Sequence, residues 1–255
     1  MKKNKIKDPI FKFDEDKKLR IKSIKTNKKI QKIKDDFLNV SSKIKYEYNF
    51  SWMGIPIIQY PQDIIALQEI IFSVKPNLII ETGFAHGGSS IFYASILKNL
   101  EFKKNDKAKV ISIDVDFRNH NLQRFKKLKI SKYIQLIKGS STNLKIFNKI
   151  KNLSKKFKKI MVVLDSDHST NHVLKELELY SSLVSKDSYC VVFDTGINFW
   201  ANSKIINKNY NKNSNPYKAV QKFMKNNSEF KIDEDIHNKL LITSCYSGYL
   251  KKIKH

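Results

Sequence analysis

The sequence has few cysteines and no long apolar run, and each shortage excludes a class of protein. Its two cysteines, Cys190 and Cys245, form no spaced metal pattern, and so few of them indicate a reducing compartment. The most apolar stretch, 78–97, carries Glu81, His86 and three glycines, so it does not suit a bilayer. The basic N-terminus is not followed by the apolar segment of a signal peptide. We therefore expect a cytoplasmic protein without a transmembrane segment.

Arginine is also scarce, although the chain is strongly basic. The net charge is +25, yet only Arg20, Arg118 and Arg124 are arginines. A basic surface could bind nucleic acid or anionic lipid. Proteins that read base sequence favour arginine for its two-pronged hydrogen bonding, whereas here lysine dominates and is scattered along the chain. Lysine, asparagine and isoleucine share A/T-rich codons, so we attribute the charge to a low-GC genome and predict no specific nucleic-acid partner.

The first 48 residues differ in character from the rest of the chain. They are lysine-rich and contain no glycine, and apolar residues recur in them at helix-like spacing. The residues that carry this pattern are Ile21, Ile24, Ile30, Ile33, Phe37 and Val40. Residues 1–48 are therefore predicted to be a helical extension that caps the main domain, 49–255, or mediates self-association into a homo-oligomer.

From residue 50 onward, short apolar runs alternate with amphipathic segments. Strands are expected at 77–82, 110–114, 133–137, 159–165 and 189–194, with helices at 61–72, 86–97, 119–128, 144–157, 169–184 and 216–225. Two further strands are expected at 230–233 and 240–245. This alternation predicts an α/β fold with a mostly parallel sheet covered by helices on both faces. Five such units, a helix and two closing strands are typical of the Rossmann-like, seven-stranded sheet of class I methyltransferases.

The turn after the first of these strands has the features of a cofactor loop. Glu81 and Gly83 end the strand, and Gly87 and Ser89 open the next helix, with Ala85 between them. Glycine lets the backbone approach a ligand closely, and the helix start offers free N–H groups. The spacing is not the dinucleotide G-x-G-x-x-G. It suits the amino-acid part of S-adenosylmethionine (SAM), whose ammonium an acid could take, although an ordinary tight turn would read the same way.

Two further strand ends extend this site. Asp114 ends the second strand, where an acid reaches ribose hydroxyls in a doubly wound sheet. Arg118 follows it. This arginine either serves a specific hydrogen bond to the ligand or is present by chance. Gly139, Ser140 and Ser141 follow the third strand, at a place that fits adenine contact. All of them lie at the carboxyl ends of strands, where open α/β sheets bind their ligands.

The fourth and fifth strands end in carboxylates that suggest a metal site. Asp165 and Asp194 should face one another, with Thr195 beside them, and two close carboxylates repel unless a proton or a cation lies between them. A sparse set of hard oxygen donors fits Mg²⁺, and a bound cation would acidify an acceptor hydroxyl. Asp165 is expected to border the cofactor as well and to be catalytic. His168 either takes the hydroxyl proton or helps to cap the next helix.

The chain from about residue 50 to its end resembles the cephalosporin hydroxylase family, which includes rhamnosyl O-methyltransferases. The stretches that carry the resemblance are 52–57, 75–90, 113–120, 139–141, 162–169, 172–180 and 248–252. The most specific is Leu-Asp-Ser-Asp-His-Ser at 164–169. The resemblance implies a class I SAM-dependent methyltransferase that uses SAM and a divalent metal. It assigns Glu81 and Gly83 to the SAM loop and Asp114 to the ribose.

The same resemblance implies roles at the predicted metal site. It makes Asp165 and Asp194 metal ligands. Metal-dependent sugar O-methyltransferases of related fold also carry a histidine three residues after the metal-binding aspartate, which implies that His168 is the base. In one respect this chain departs from the family, which commonly has Glu-Asp where this sequence has Phe193-Asp194. The departure leaves the predicted metal site with one carboxylate fewer.

These features lead to one main functional hypothesis and two alternatives. The main one is a Mg²⁺-assisted O-methyltransferase that acts on a sugar, nucleotide-linked or glycan-bound, in bacterial surface polysaccharide synthesis. The polar stretch 196–215 and the N-terminal helices are expected to shape its acceptor pocket. A nucleic-acid methyltransferase is the first alternative, although its Asn/Asp-Pro-Pro-aromatic motif is absent. The second is a non-catalytic subunit that assists an oxygenase.

Overall fold

The computed structural model describes residues 9–100, 108–199 and 211–254 of the chain. Its helices are α1 (Pro9–Thr26), α2 (Lys28–Ser41), α3 (Pro61–Val74), α4 (Gly88–Asn99), α5 (Asn119–Lys127), α6 (Leu144–Ser154), α7 (Thr170–Tyr180), α8 (Pro216–Lys225) and α9 (Glu234–Leu240). Its strands are β1 (Ser51–Trp52), β2 (Ile55–Pro56), β3 (Leu78–Thr82), β4 (Lys109–Asp114), β5 (Ile134–Lys138), β6 (Ile160–Leu164), β7 (Tyr189–Val192), β8 (Phe230–Ile232) and β9 (Tyr249–Lys252). Residues 200–210, which belong to the polar stretch expected to shape the acceptor pocket, lie outside the described residues.

The main sheet has seven strands in the order β5-β4-β3-β6-β7-β9-β8. The strands from β3 to β7 pair in parallel, whereas β9 is antiparallel to both of its neighbours. The chain winds outward from β3 to β5 and then crosses back to β6. The ends of β3 and β6 therefore meet at the switch point where a doubly wound sheet binds its ligand. The predicted Rossmann-like architecture is confirmed.

The core consists of two apolar layers, one on each face of the sheet. Successive strand residues point to opposite faces, so Ile79 packs with α3 and α4, and Ile80 packs with α6 and α7. All five residues of β3 and of β6 are buried. Burial on both faces explains why these strands read in the sequence as continuous apolar runs.

The last strand of the sheet is not where the sequence indicated. The strand expected at 240–245 is instead the end of α9 and an irregular segment in which Leu241 has a φ of +61°. The antiparallel strand is β9, which begins just after Gly248. A side chain at Gly248 would lie 2.2 Å from the carbonyl oxygen of Val192, so glycine lets β9 start against β7. Short apolar runs such as Leu-Leu-Ile carry no periodicity that would separate strand from loop.

The N-terminal extension is helical, as predicted, and it consists of two helices that pack on the main domain. Asn27 caps α2 by accepting hydrogen bonds from the amides of Lys29 and Ile30, at 3.1 Å each. Leu38 of α2 packs in a small apolar cluster with Tyr60, Ile197 and Ile242 of the main domain. The helix-like spacing identified only part of the buried face.

Of the six residues that carried the helix-like spacing, the first three are half-buried and the last three are exposed. The exposed ones are Ile33, Phe37 and Val40. Among the described residues, no helix is both long enough and apolar enough to cross a membrane.

Candidate active site

The loop between β3 and α4 is held open by left-handed backbone and by Asp114. Gly83 and Gly87 have φ values of +88° and +90°, which favour glycine. The backbone amides of Phe84 and Ala85 donate hydrogen bonds to Oδ2 of Asp114, at 2.8 and 3.2 Å. The acid expected to bind ribose therefore fixes the shape of the loop that is predicted to bind the cofactor.

Glu81 lies behind this loop, not on its surface. Its carboxylate oxygens accept hydrogen bonds from the hydroxyls of Ser89, Ser90 and Ser112. Burial raises the pKa of Glu81 to about 7, although the serine hydroxyls act in the opposite direction. This differs from the expected contact with the ligand's ammonium, because the carboxylate anchors the start of α4 and is 1% exposed.

A cavity of about 620 Å³ runs along the carboxyl ends of β3, β4, β5 and β6. This volume lies in the range of small-molecule and cofactor sites. The predicted residues that line it are Gly83, Ala85, Asp114, Arg118, Gly139, Ser140, Ser141 and Asp165. Gly87 and Ser89 line a much smaller adjoining cavity, together with Gln59 and Asp165. The structure therefore brings together most of the residues that the sequence assigned to the cofactor.

His172 is a further residue that lines this cavity. Its Nε2 lies 3.0 Å from Oγ of Ser141 and 3.2 Å from Oγ of Ser166, while Ser166 donates to the buried carboxylate of Glu176 at 2.7 Å. Burial disfavours protonation of His172, but the hydrogen bond and negative charge of Glu176 outweigh it and raise the imidazole pKa. The sequence feature that could have identified His172 as a site residue is its spacing of four residues from Glu176.

The ends of β6 and β7 bring two carboxylates and an imidazole together. One ligand atom each of Asp165, His168 and Asp194 lies within 4.8 Å of the others. Nε2 of His168 lies 3.2 Å from Oδ2 of Asp194. Burial raises the pKa of Asp165 well above its ordinary value, and the negative charges of Asp194 and Glu81 raise it further. The two carboxylates that were expected to face one another therefore lie close together.

Two neighbouring residues contribute no oxygen to this cluster. The Thr195 hydroxyl, expected at the metal site, is fully buried and donates to the carbonyl of Ser244 at 3.1 Å. The chain turns sharply at Asp194, whose φ is +56°, and the turn carries Thr195 inward. Phe193 is 2% exposed and packs in the core on the α3 and α4 side of the sheet.

A second cavity, of about 350 Å³, lies between α2 and the segments that follow β7 and α9. It is lined by Lys34, Asp35, Leu38, Asn39, Gly196, Phe199, Leu241, Thr243 and Tyr246. The rings of Phe199 and Tyr246 meet edge to face at 4.9 Å, and Nζ of Lys34 lies 5.5 Å from the Tyr246 ring centre. The sequence predicted that the N-terminal helices and the stretch after β7 shape a pocket, but it identified neither the pocket's residues nor the segment after α9.

This chain is similar to rhamnosyl O-methyltransferases. A family model described as Rhamnosyl O-methyltransferase/CmcI matches residues 44–253. The rhamnosyl O-methyltransferase of Mycobacterium tuberculosis (strain ATCC 25618 / H37Rv) is 30% identical over 202 residues, which cover 78% of this chain and 77% of that protein. The rhamnosyl O-methyltransferase of Mycobacterium leprae (strain TN) is 32% identical over 149 residues, covering 58% of this chain and 61% of that protein.

Solved structures of CmcI have the same fold at low sequence identity. An apo structure of CmcI gives a TM-score of 0.57 at 16% identity, covering 82% of this chain and 78% of that one. A structure of CmcI with Mg and SAM gives a TM-score of 0.53, also at 16% identity, covering 81% and 77% of the two chains. The seven-stranded sheet of this chain thus belongs to the same fold as CmcI.

Proposed function

The chain belongs to the Rhamnosyl O-methyltransferase/CmcI family of SAM-dependent O-methyltransferases, and from that premise we propose that it methylates a sugar hydroxyl. The observation that carries the proposal is the meeting of two sites at one edge of the sheet. The cavity along the strand ends reaches Asp165, and Asp165 belongs to the same cluster as His168 and Asp194. The cofactor cavity and a hydroxyl-activating group thus adjoin.

The cavity residues suggest how the cofactor is held. We assign its amino-acid end to the backbone around Gly83 and Ala85, its ribose to Asp114, and its adenine to the segment 139–141. SAM supplies an electrophilic methyl group, which bonds to the acceptor oxygen as its bond to sulfur breaks, leaving S-adenosylhomocysteine and a released hydroxyl proton. The protein's contribution is to align donor and acceptor and to stabilise the developing oxyanion.

The second cavity is our candidate for the acceptor. Gly196, which lines it, follows Asp194 by two residues, so the same loop contributes to the carboxylate cluster and to the cavity wall. Its lining combines aromatic rings with the polar groups of Asp35 and Asn39. Aromatic faces pack against the C–H surface of a sugar while polar groups bind its hydroxyls. These residues support a sugar acceptor, and Lys34 would suit an acceptor that also carries a phosphate.

A divalent cation would be held by the carboxylates of Asp165 and Asp194. Bound there, it would relieve their repulsion and lower the pKa of an acceptor hydroxyl. The two carboxylates fit such an ion, and the side chain of Asp165 also borders the cofactor cavity. Proton transfer from the acceptor is assigned to this cluster.

The names of the relatives, rhamnosyl O-methyltransferases, support a choice of acceptor class. We propose a deoxyhexose or related sugar, nucleotide-linked or in a bacterial surface polysaccharide, methylated in the cytoplasm. The test is to incubate the purified full chain with methyl-labelled SAM and a panel of nucleotide sugars and glycans, and to detect labelled product by mass spectrometry. Methylation of a sugar hydroxyl is expected. SAM binding with no labelled sugar, across rhamnose-containing acceptors, would reject the proposal.

A further inference from the structure

The cluster at the ends of β6 and β7 contains a nitrogen donor as well as two carboxylates. Ligand atoms of Asp165, His168 and Asp194 lie within 4.8 Å of one another. Two ligands bound to one ion at about 2.0–2.2 Å each can be at most about 4.4 Å apart. Small side-chain rotations would therefore bring all three atoms onto one ion. In the part of the chain that the structure describes, this is the group with that geometry.

Neither residue that flanks Asp194 in the chain supplies the carboxylate that the family commonly has there. Phe193 occupies that position and packs in the core, with 2% of its surface exposed. The Thr195 hydroxyl on the other side donates to a backbone carbonyl. Within the cluster, the group beside Asp194 is the imidazole of His168, whose Nε2 lies 3.2 Å from the Asp194 carboxylate.

We propose that Nε2 of His168 is the third protein ligand of the metal, in place of the missing carboxylate. Two carboxylates and an imidazole suit Mn²⁺, Fe²⁺, Co²⁺ or Zn²⁺ better than Mg²⁺, which prefers oxygen ligands throughout. The site should therefore select a transition-metal ion. The inference rests on the proposed function for the role of the ion, but metal binding can be measured without it.

This assignment changes the role of His168. A nitrogen whose lone pair is bound to a metal cannot accept a proton, so Nε2 of His168 does not act as the base that the sequence implied. The rival arrangement is an imidazole paired with Asp194 that takes the hydroxyl proton and never binds metal. The two arrangements differ in whether nitrogen is bonded to the ion.

Pulsed electron paramagnetic resonance distinguishes them directly. The full chain is stripped with EDTA, loaded with Mn²⁺ and examined by electron spin-echo envelope modulation, which detects a coordinated ¹⁴N. We expect imidazole nitrogen modulation in the wild type and its loss in His168→Gln. His172→Gln is the matched control, because His172 is also half-buried nearby but bonds to Ser141 and Ser166. That variant should keep the modulation.

Titration calorimetry gives a second readout. His168→Gln should weaken Mn²⁺ binding about tenfold or more and change Mg²⁺ binding less than about threefold. The proposal is overturned if Mn²⁺ binds without nitrogen modulation, if the modulation survives in His168→Gln, or if Mn²⁺ does not bind. If the protein methylates a sugar but shows no nitrogen modulation, the metal assignment is rejected and the proposed function stands.

Discussion

A methyl group on Gly83 would lie 1.9 Å from the carbonyl oxygen of Asp165. The ends of β3 and β6 are this close because the two strands pair in parallel and both continue into the site. Gly83→Ala should therefore push the two strand ends apart. Because Gly83 also has a φ of +88°, we expect a loss of several kcal/mol in the free energy of unfolding and at least tenfold weaker SAM binding. Urea unfolding and calorimetry measure the two effects.

Gly54 provides the matched control for this substitution. Its φ is +78°, but a side chain there would meet nothing within 4 Å. Gly54→Ala should cost about 1–2 kcal/mol through backbone strain alone and leave SAM binding unchanged. Equal effects of the two substitutions on SAM affinity would contradict the close approach of the strand ends.

Asp165→Asn separates function from stability. Burial and neighbouring negative charges raise the pKa of Asp165, so in EDTA its ionised form destabilises the fold near neutral pH. We expect the isosteric amide to leave the melting temperature unchanged or higher while methyl transfer falls at least about 100-fold. Glu178→Gln, an exposed change on α7, should alter neither. A variant that keeps more than a tenth of wild-type turnover would remove Asp165 from the catalytic machinery.

Glu81 should make stability depend on pH in a direction opposite to that of a salt-bridged acid. Its pKa rises from 4.5 in the unfolded chain to about 7 in the fold, mainly through burial. Between these values the native state holds a proton that the unfolded state has lost. The contribution of Glu81 is therefore greatest below pH 4.5 and declines, by roughly 2–3 kcal/mol, as the pH rises to about 7.

The difference in melting temperature between wild type and Glu81→Gln measures this contribution. The glutamine side chain is neutral and can still bond to the serine hydroxyls, so the variant should gain stability relative to wild type from pH 4.5 to 7. Asp63→Asn should show the same sign at lower pH, because burial raises the pKa of Asp63 from 3.8 to about 6. A difference that does not vary with pH would mean that Glu81 keeps its ordinary pKa.

The strands of the parallel sheet could be predicted because their residues are buried on both faces. Once β6 and β7 are recognised as parallel neighbours, their carboxyl ends bring Asp165 and Asp194 side by side. This step does not depend on the direction of any side chain. The orientation of Glu81 could have been obtained as well, since alternation in β3 puts it on the same face as Ile79, toward α4. Thr195 could not, because the left-handed turn falls on Asp194, a residue that tolerates this backbone conformation but does not require it.

The C-terminal region escaped prediction for a different reason. The segment 240–245 is apolar enough for a strand, but buried Asp63 of α3 binds its polar groups instead. The backbone amide of Ser244 donates to Asp63 at 2.8 Å, and the hydroxyls of Thr243 and Tyr249 donate to the same carboxylate. These contacts join residues about 180 positions apart in the chain. No pattern in the local sequence identifies a hydrogen-bond partner so far away in the chain.

The cavity proposed for the acceptor yields the last prediction, in which two adjacent carboxylates on α2 serve as test and control. Asp35 lines the cavity and Asp36 does not, and both are exposed. Asp35→Asn should raise the KM for the sugar acceptor about tenfold, because a charged hydrogen bond to a hydroxyl contributes about 1.5–3 kcal/mol. The KM for SAM should stay within about twofold, because Asp35 does not line the cofactor cavity.

Steady-state kinetics with the acceptor found in the panel decides between the two carboxylates. Asp36→Asn should match the wild type in both constants, which corrects for any general effect of removing charge from α2. Tyr246→Phe, which keeps the ring and removes only the hydroxyl, should change the acceptor KM less than Asp35→Asn does if the ring provides mainly a packing surface. An equal rise for Asp35→Asn and Asp36→Asn would show that bulk charge matters and that the sugar binds elsewhere.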